Sequence, residues 1–382
     1  MKKYIIWKFS LAALLALTMA LAGCGGGGGG SAANPDIDGD GIPNTADALP
    51  NDPTRFAGST TVLLAGITGG AFNTAMGINN NNQVIGLAEN AATEVKAVRW
   101  NVNATTRTAS APVTLEPLAG NTYSAAYGIN DAGVAVGESA SGADTVAAFW
   151  PAGGTTATAL SLTGFTVPAA AYHINNAGQA VGEATVGGLN RAVLWNNTAA
   201  TPVALGTLTG GTYSSVYFIN DGGLAVGEAD NAAGATRAVA WLVSPLGAIT
   251  AGPVDLGTLA GHAASFALGV DASGRVVGES ETDSGESHAT LWTINPQTLA
   301  VTARTDLGTG GAHAINTTNR IAGHLGTPSL ATLWDTRNTN LANGVSTGAT
   351  FSQAFGLNNG NLVVGLSGTQ GFVAVPSATS AQ

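Results

Sequence analysis

The residues best suited to chemistry near the start of the chain are those of the run Asp36 to Asp47, DIDGDGIPNTAD. Counting Asp36 as place one, Asp36, Asp38, Asp40 and Asp47 put carboxylates at places one, three, five and twelve. Gly41 takes place six and the main-chain carbonyl of Ile42 takes place seven. This is the spacing at which a short loop converges oxygen ligands on a hard cation, with a glycine where the loop bends sharply. The run therefore predicts a Ca²⁺ site; the alternative is an acidic, solvated linker. The wider stretch through Pro53 resembles the thrombospondin type-3-like calcium repeats of bacterial surface proteins, in one copy. Its twelfth place is Asp47, where an EF-hand has the longer Glu, and that resemblance accommodates Asp.

Cys24 is the only cysteine, so no disulfide can form within the chain. Before it lie Lys2, Lys3 and Lys8, then an apolar stretch from Leu11 to Ala22 that is short for a membrane span. Leu21-Ala22-Gly23-Cys24 resembles the lipobox of bacterial lipoproteins. The resemblance implies a signal peptide over residues 1–23, cleavage before Cys24, and lipid on its sulfur and new amino group, with stable anchoring by several acyl chains. Gly25 stands where that family's inner-membrane retention signal has Asp, which implies the outer membrane of a Gram-negative host, facing the periplasm or the surface. Residues 24–35, rich in glycine, read as a flexible tether, and residues 36–58 as the calcium loop and a linker.

Further along, Glu138, Glu183, Glu228 and Glu279 recur at equivalent places, and a ring of acids invites a cation-binding or catalytic reading. Three of them are followed by a base at a similar distance: Glu183 by Arg191, Glu228 by Arg237 and Glu279 by His288. The pairs flank one hairpin each, so the sequence predicts cross-strand ion pairs that set register. His173, His262, His288, His313 and His324 show no metal-ligand spacing. No nucleophile motif with a partnered base occurs, and the glycine-rich stretches lack the Lys-Ser/Thr of a phosphate loop. With 13 basic against 23 acidic residues and a formal charge of −10, nucleic acid is a poor partner.

These residues sit on a repeat. Aligning on an Ile-Asn step gives anchors at Asn79, Asn130, Asn175, Asn220, Asp271, Asn316 and Asn358, spaced by 42 to 51 residues. Such a period is that of a four-stranded propeller blade. In the second copy a strand ends at Ile129, Asp131-Ala132-Gly133 turns, Val134 to Gly137 opens a second strand, and Thr145 to Trp150 forms a third. Trp100, Trp150, Trp195, Trp241, Trp292 and Trp334 share that last position. Val203 to Leu208, Val254 to Leu259 and Thr305 to Thr309 read as fourth strands. Thr61 to Gly70 matches them but precedes the first anchor, while the last copy ends after its third strand. The expectation is an all-β, seven-bladed β-propeller of four-stranded blades over residues 59–376, its N-terminal strand completing the last blade, with residues 377–382 as a polar tail. Only 9% charged residues and 54 glycines suit short strands and turns.

The repeats resemble the HAF-repeat family, probable bacterial extracellular repeats. His288-Ala289-Thr290-Leu291-Trp292 carries its His-Ala step, with Thr290 in place of Phe, and Gly269-Val270-Asp271 and Val276-Val277-Gly278 carry other marks. The resemblance implies a secreted or surface protein and brings no catalytic residue. Tyr123, Tyr127, Tyr172, Tyr213, Tyr217 and Phe266 fall near strand starts, where they either pack the blades or present a face to carbohydrate or protein. The reading is a lipid-anchored, non-catalytic surface propeller displaying a binding face on a calcium-stiffened stalk. A polysaccharide lyase or hydrolase using blade-specific residues such as His173, His313 and His324, and a structural spacer, are the alternatives.

Overall fold

A computed structural model describes residues 59–336, 338–345 and 347–376. Cys24 and the proposed calcium ligands Asp36, Asp38, Asp40, Ile42 and Asp47 lie outside them. The described chain is an all-β propeller with antiparallel pairing between successive strands of each blade.

The expectation of seven four-stranded blades is corrected: the described strands form six sheets, four of four strands, one of five and one of seven. The merger occurs between the fifth and sixth sequence copies. One strand, Val301–Ile315, pairs with Ser287–Ile294 along its first part and with Arg320–Leu325 along its last. The reason is a short connection. From the buried leucine of the linking segment to the bulged stretch of the next inner strand, the chain takes 11 residues at Leu205–Val216 and Leu256–Ala267 but 5 at Leu307–Ala312. Five residues leave no room for the loop that elsewhere separates two sheets, so the strand runs on. At the other end, Ser59–Leu63 pairs with Gln370–Pro376, joining the two ends of the described chain in one sheet.

The linking segments differ from expectation as well. Leu205-Gly206-Thr207 and Leu256-Gly257-Thr258 are not strand, whereas Leu307-Gly308-Thr309 is strand, as expected, within Val301–Ile315. Val203–Ala204 and Ile249–Asp255 end before the first two of these steps, where Gly206 and Gly257 turn the chain with φ of 86° and 72°. The leucines instead turn inward: Leu205 and Leu256 are buried. The adjoining carbonyls receive the indole N–H of the third-strand tryptophans. Trp100 donates to Ala65 O at 2.9 Å, Trp150 to Glu116 O at 2.9 Å, Trp195 to Ser161 O at 2.7 Å and Trp292 to Gly257 O at 3.1 Å. Each of these four tryptophans thereby ties its sheet to the preceding linking segment while supplying a large apolar area to the core. The core lies between neighbouring sheets, as in the cluster of Val181, Leu194, Leu205, Val216 and Trp241.

Each inner strand carries a β-bulge, as between Ala126 and Gly128 or Ala171 and His173. The bulge pushes a main-chain carbonyl against the second strand. A Cβ at Gly227 would lie 2.1 Å from Ser215 O, and one at Gly278 would lie 1.9 Å from Phe266 O. This accounts for the glycine that recurs before each glutamate.

Candidate ligand-binding site

The anchor residues form a ring around one mouth of the central channel. Each asparagine uses both ends of its carboxamide. Its Oδ1 accepts from the main-chain N–H four residues on, closing the hairpin turn: Gln83 to Asn79 at 2.9 Å, Val134 to Asn130 at 3.0 Å, Leu224 to Asn220 at 3.0 Å. Its Nδ2 donates to the carbonyl of the next anchor: Asn79 to Asn130 at 2.9 Å, Asn130 to Asn175 at 3.2 Å, Asn175 to Asn220 at 3.1 Å, Asn220 to Asp271 at 3.0 Å, Asn316 to Asn358 at 2.9 Å and Asn358 back to Asn79 at 3.1 Å. An amide, with its donor and acceptor at separate ends, does both. Asp271 performs the first task, accepting from Arg275 N at 3.0 Å, and turns its other oxygen to Arg275 Nε at 2.6 Å.

The next residue of each copy builds a second, outer rim of Asn80, Asp131, Asn176, Asp221, Ala272, Thr317 and Asn359. Asn80 N donates to Asp131 Oδ1 at 2.8 Å, Asp131 N to Asn176 Oδ1 at 2.8 Å, Asn176 N to Asp221 Oδ1 at 2.8 Å, Thr317 N to Asn359 Oδ1 at 3.2 Å and Asn359 N to Asn80 Oδ1 at 2.9 Å. Asn176 Nδ2 also bridges Asp131 Oδ2 and Asp221 Oδ2, at 3.0 Å each. The carboxylates are thus oriented by N–H groups, with their free faces toward solvent. Inside the rim lies a cavity of about 220 Å³, walled by the anchors and by Ile78, Ile129, Ile174, Ile219, Val270, Ile315 and Leu357. His173 and Phe218 stack in this wall with ring centroids 3.8 Å apart. Burial pushes the His173 imidazole down to about 4, so it is neutral at pH 7. The mouth is therefore a cup of polar edges over an apolar floor.

The recurring glutamates lie elsewhere. They are buried or half-buried, and the expected pairs with bases do not form as predicted. Glu183 stands opposite Ala192 and Arg191 opposite Ala184; Glu228 opposite Ala238 and Arg237 opposite Ala229; Glu279 opposite Ala289 and His288 opposite Ser280. Acid and base are one register step out, so they point to opposite faces of the sheet. Arg191 donates to Thr212 O, Arg237 Nε lies 3.9 Å from Asp255, and His288 lies 2.9 Å from Asp306. Glu138 and Glu228 instead meet phenols: Tyr127 Oη donates to Glu138 at 2.8 Å, and Tyr213 and Tyr217 both donate to Glu228 at 2.7 Å. The rings of Tyr127, Tyr172 and Tyr217 follow one another in space, with centroids 5.8 and 5.5 Å apart. Burial, reinforced by the neighbouring carboxylates, holds all three phenols well above their ordinary range. Tyr127, Tyr172 and Phe266 are buried and pack the interior, whereas Tyr123, Tyr213 and Tyr217 are partly exposed.

Of the blade-specific histidines, the structure brings His313 and His324 together, centroids 5.1 Å apart, and leaves His173 at the mouth. His313 Nε2 lies 3.5 Å from Glu279 and its Nδ1 lies 2.7 Å from Ala354 O. Burial, with His313 beside it, pushes His324 down to about 3. Among the described residues, no group of three or more His, Cys, Asp or Glu is arranged to hold a metal ion. The outer rim is the part that sequence reasoning missed. Its signal was the residue after each anchor, mostly Asn or Asp, which also serves as an ordinary turn former.

No family model and no curated protein matches the chain. Solved propellers do. The WD40 β-propeller domain of Doa1 is 11% identical with a TM-score of 0.50, covering 86% of this chain and 98% of that one. An oligogalacturonate lyase in complex with manganese is 8% identical at 0.48, covering 84% and 98%. The BP39L lectin from Burkholderia pseudomallei is 11% identical at 0.44, covering 85% and 100%. At these identities the first likeness supports the propeller fold alone.

Proposed function

We propose that this protein is a non-catalytic binding propeller that takes a carbohydrate ligand at the channel mouth. The observation that carries the reading is the amide- and carboxylate-edged cup over an isoleucine floor. Planar polar side chains held by N–H groups meet the hydroxyls of a sugar, and the apolar floor with Phe218 meets its C–H faces. The mouth's polar groups are spent on each other in a fixed lattice, as suits recognition by a preformed site.

The same proposal places the propeller on a bacterial surface. Lipid on Cys24 anchors the chain in the outer membrane, and Ca²⁺ held by Asp36, Asp38, Asp40, Ile42 and Asp47 stiffens the stalk between anchor and propeller. This part is supported by the sequence spacing and by the lipobox and HAF-repeat resemblances.

The test is an array of oligosaccharides probed with the full chain in detergent, with calcium and with chelator, beside membrane fractionation of Cys24→Ser. Expected are saccharide binding and release of the variant from the membrane. Silence on every saccharide would overturn the binding reading, and an unreleased variant would overturn the anchor.

A further inference from the structure

We propose that the break in the rim at Ala272 is the specificity subsite of the mouth, and that it takes neighbouring hydroxyls of a neutral sugar. This rests on the reading of the mouth as a saccharide site.

In five steps of the outer rim a main-chain N–H donates to the side-chain oxygen of the next copy. The methyl of Ala272 offers no oxygen, so the relay stops at Asp221. It resumes only at Thr317, whose hydroxyl is committed to Asn359 Oδ1 at 2.8 Å. Among the described residues neither Asp221 N–H nor Ala272 N–H has an acceptor. The inner ring breaks at the same step. Asp271 has no side-chain N–H to give the Asn316 carbonyl, and its carboxylate is held by Arg275, whose guanidinium continues to Asn319 at 2.8 Å. One side of the cup therefore exposes two main-chain donors and one main-chain acceptor, all on residues that line the cavity. Everywhere else around the mouth the equivalent groups are paired within the protein.

The chemistry of the missing partner follows. It must accept twice and donate once within the volume that an Asn side chain fills in other copies. Hydroxyls do both. A carboxylate would satisfy the donors but would sit beside Asp221 and Asp131, and the net charge of −10 opposes its approach. An ammonium would meet two N–H groups head on. A peptide offers a carbonyl and an N–H, but it needs an open groove for its continuing chain, whereas this cup has an apolar floor. A neutral sugar is the class that fits.

The test uses the full chain in detergent, wild type and Ala272→Asn, on an array of neutral oligosaccharides, uronic-acid oligosaccharides and peptides, followed by calorimetric titration of the best neutral saccharide. Asn at 272 supplies the missing oxygen and occupies the subsite. The expected result is neutral-sugar binding by the wild type, weakened at least about tenfold in the variant, with an unchanged or higher melting temperature. Ala272→Ser, with a shorter oxygen, is expected to lose less, and it serves should the asparagine variant fail to fold. Unchanged affinity in both variants would overturn the subsite while leaving the mouth as the binding face. Preference for uronic acids would likewise overturn the subsite. Binding of peptides alone, or of nothing, would overturn the saccharide reading and the subsite with it.

Discussion

The second to fourth sequence copies and the fifth to sixth are built from the same parts and finished differently. In the former, anchors, rim, tyrosines and glutamates repeat almost residue for residue. In the latter, Asp271 replaces an amide, Ala272 removes a rim oxygen, Leu268 and His313 stand where tyrosines do, and one strand serves two copies. The lesson is that repetition builds the ring, because a residue needed for closing every blade must appear in every blade. Departures that keep the backbone but alter the polar lattice are where the copies become individual, and where the proposed recognition would reside.

The comparison breaks at once if the two regions do not share a scaffold. Gly227→Val and Gly278→Val each drive a side chain into a main-chain carbonyl, so both are expected to cost more than about 4 kcal/mol and to leave little folded protein in urea titrations. Tolerance at Gly278 alone would mean that the fifth copy is built on a different backbone.

A smaller effect separates the anchors. Asn175→Ala removes a clamp to Asn220 and the turn acceptor for Gln179, and should cost about 2–3 kcal/mol. Asp271→Asn loses its ion pair with Arg275 but gains an amide for Asn316, and should change stability by less than about 1 kcal/mol. Equal costs would remove the distinction between ring and break.

The merged sheet also carries a pH dependence. His324, facing His313 near Glu279, is held down to about 3 in the folded chain, while an unfolded histidine takes up its proton near pH 6.5. Stability is full above that value and falls as pH drops through the window below it, by about 2 kcal/mol at pH 5. His173 acts in the same direction. His324→Gln should flatten the urea midpoint between pH 7 and pH 5; an unaltered slope would contradict the neutral, buried assignment.

Smallest of all is a coupling that should vanish. A double-mutant cycle on Glu183 and Arg191 is expected within about 0.3 kcal/mol of zero, since the two point to opposite faces. A coupling near 1 kcal/mol would restore the pair.

The sequence carried the propeller because its signals are local and repeated: the Ile-Asn step, a turn ending on a residue such as Gly133 or Asn319 with φ of 85° or 71°, and a tryptophan in the third strand of six copies. It did not carry the number of sheets, which turns on the length of one connection, Leu307 to Ala312. Nor did it carry the glutamate partners. Spacing along a hairpin does not fix which residues face each other until the register is known, and a slip of one residue reverses the face. The mouth was half legible. Asn130 and its equivalents were visible as anchors, but their role as interblade clamps, and the meaning of Ala272, appear only when copies 45 and 51 residues apart in sequence meet.

The most direct test of the central claim is a crystal structure of the full chain with the saccharide selected on the array. Density for a sugar in the cup, with its oxygens on Asp221 N–H and Ala272 N–H, is the predicted result. A saccharide bound on the outer strands with the mouth empty would contradict the account.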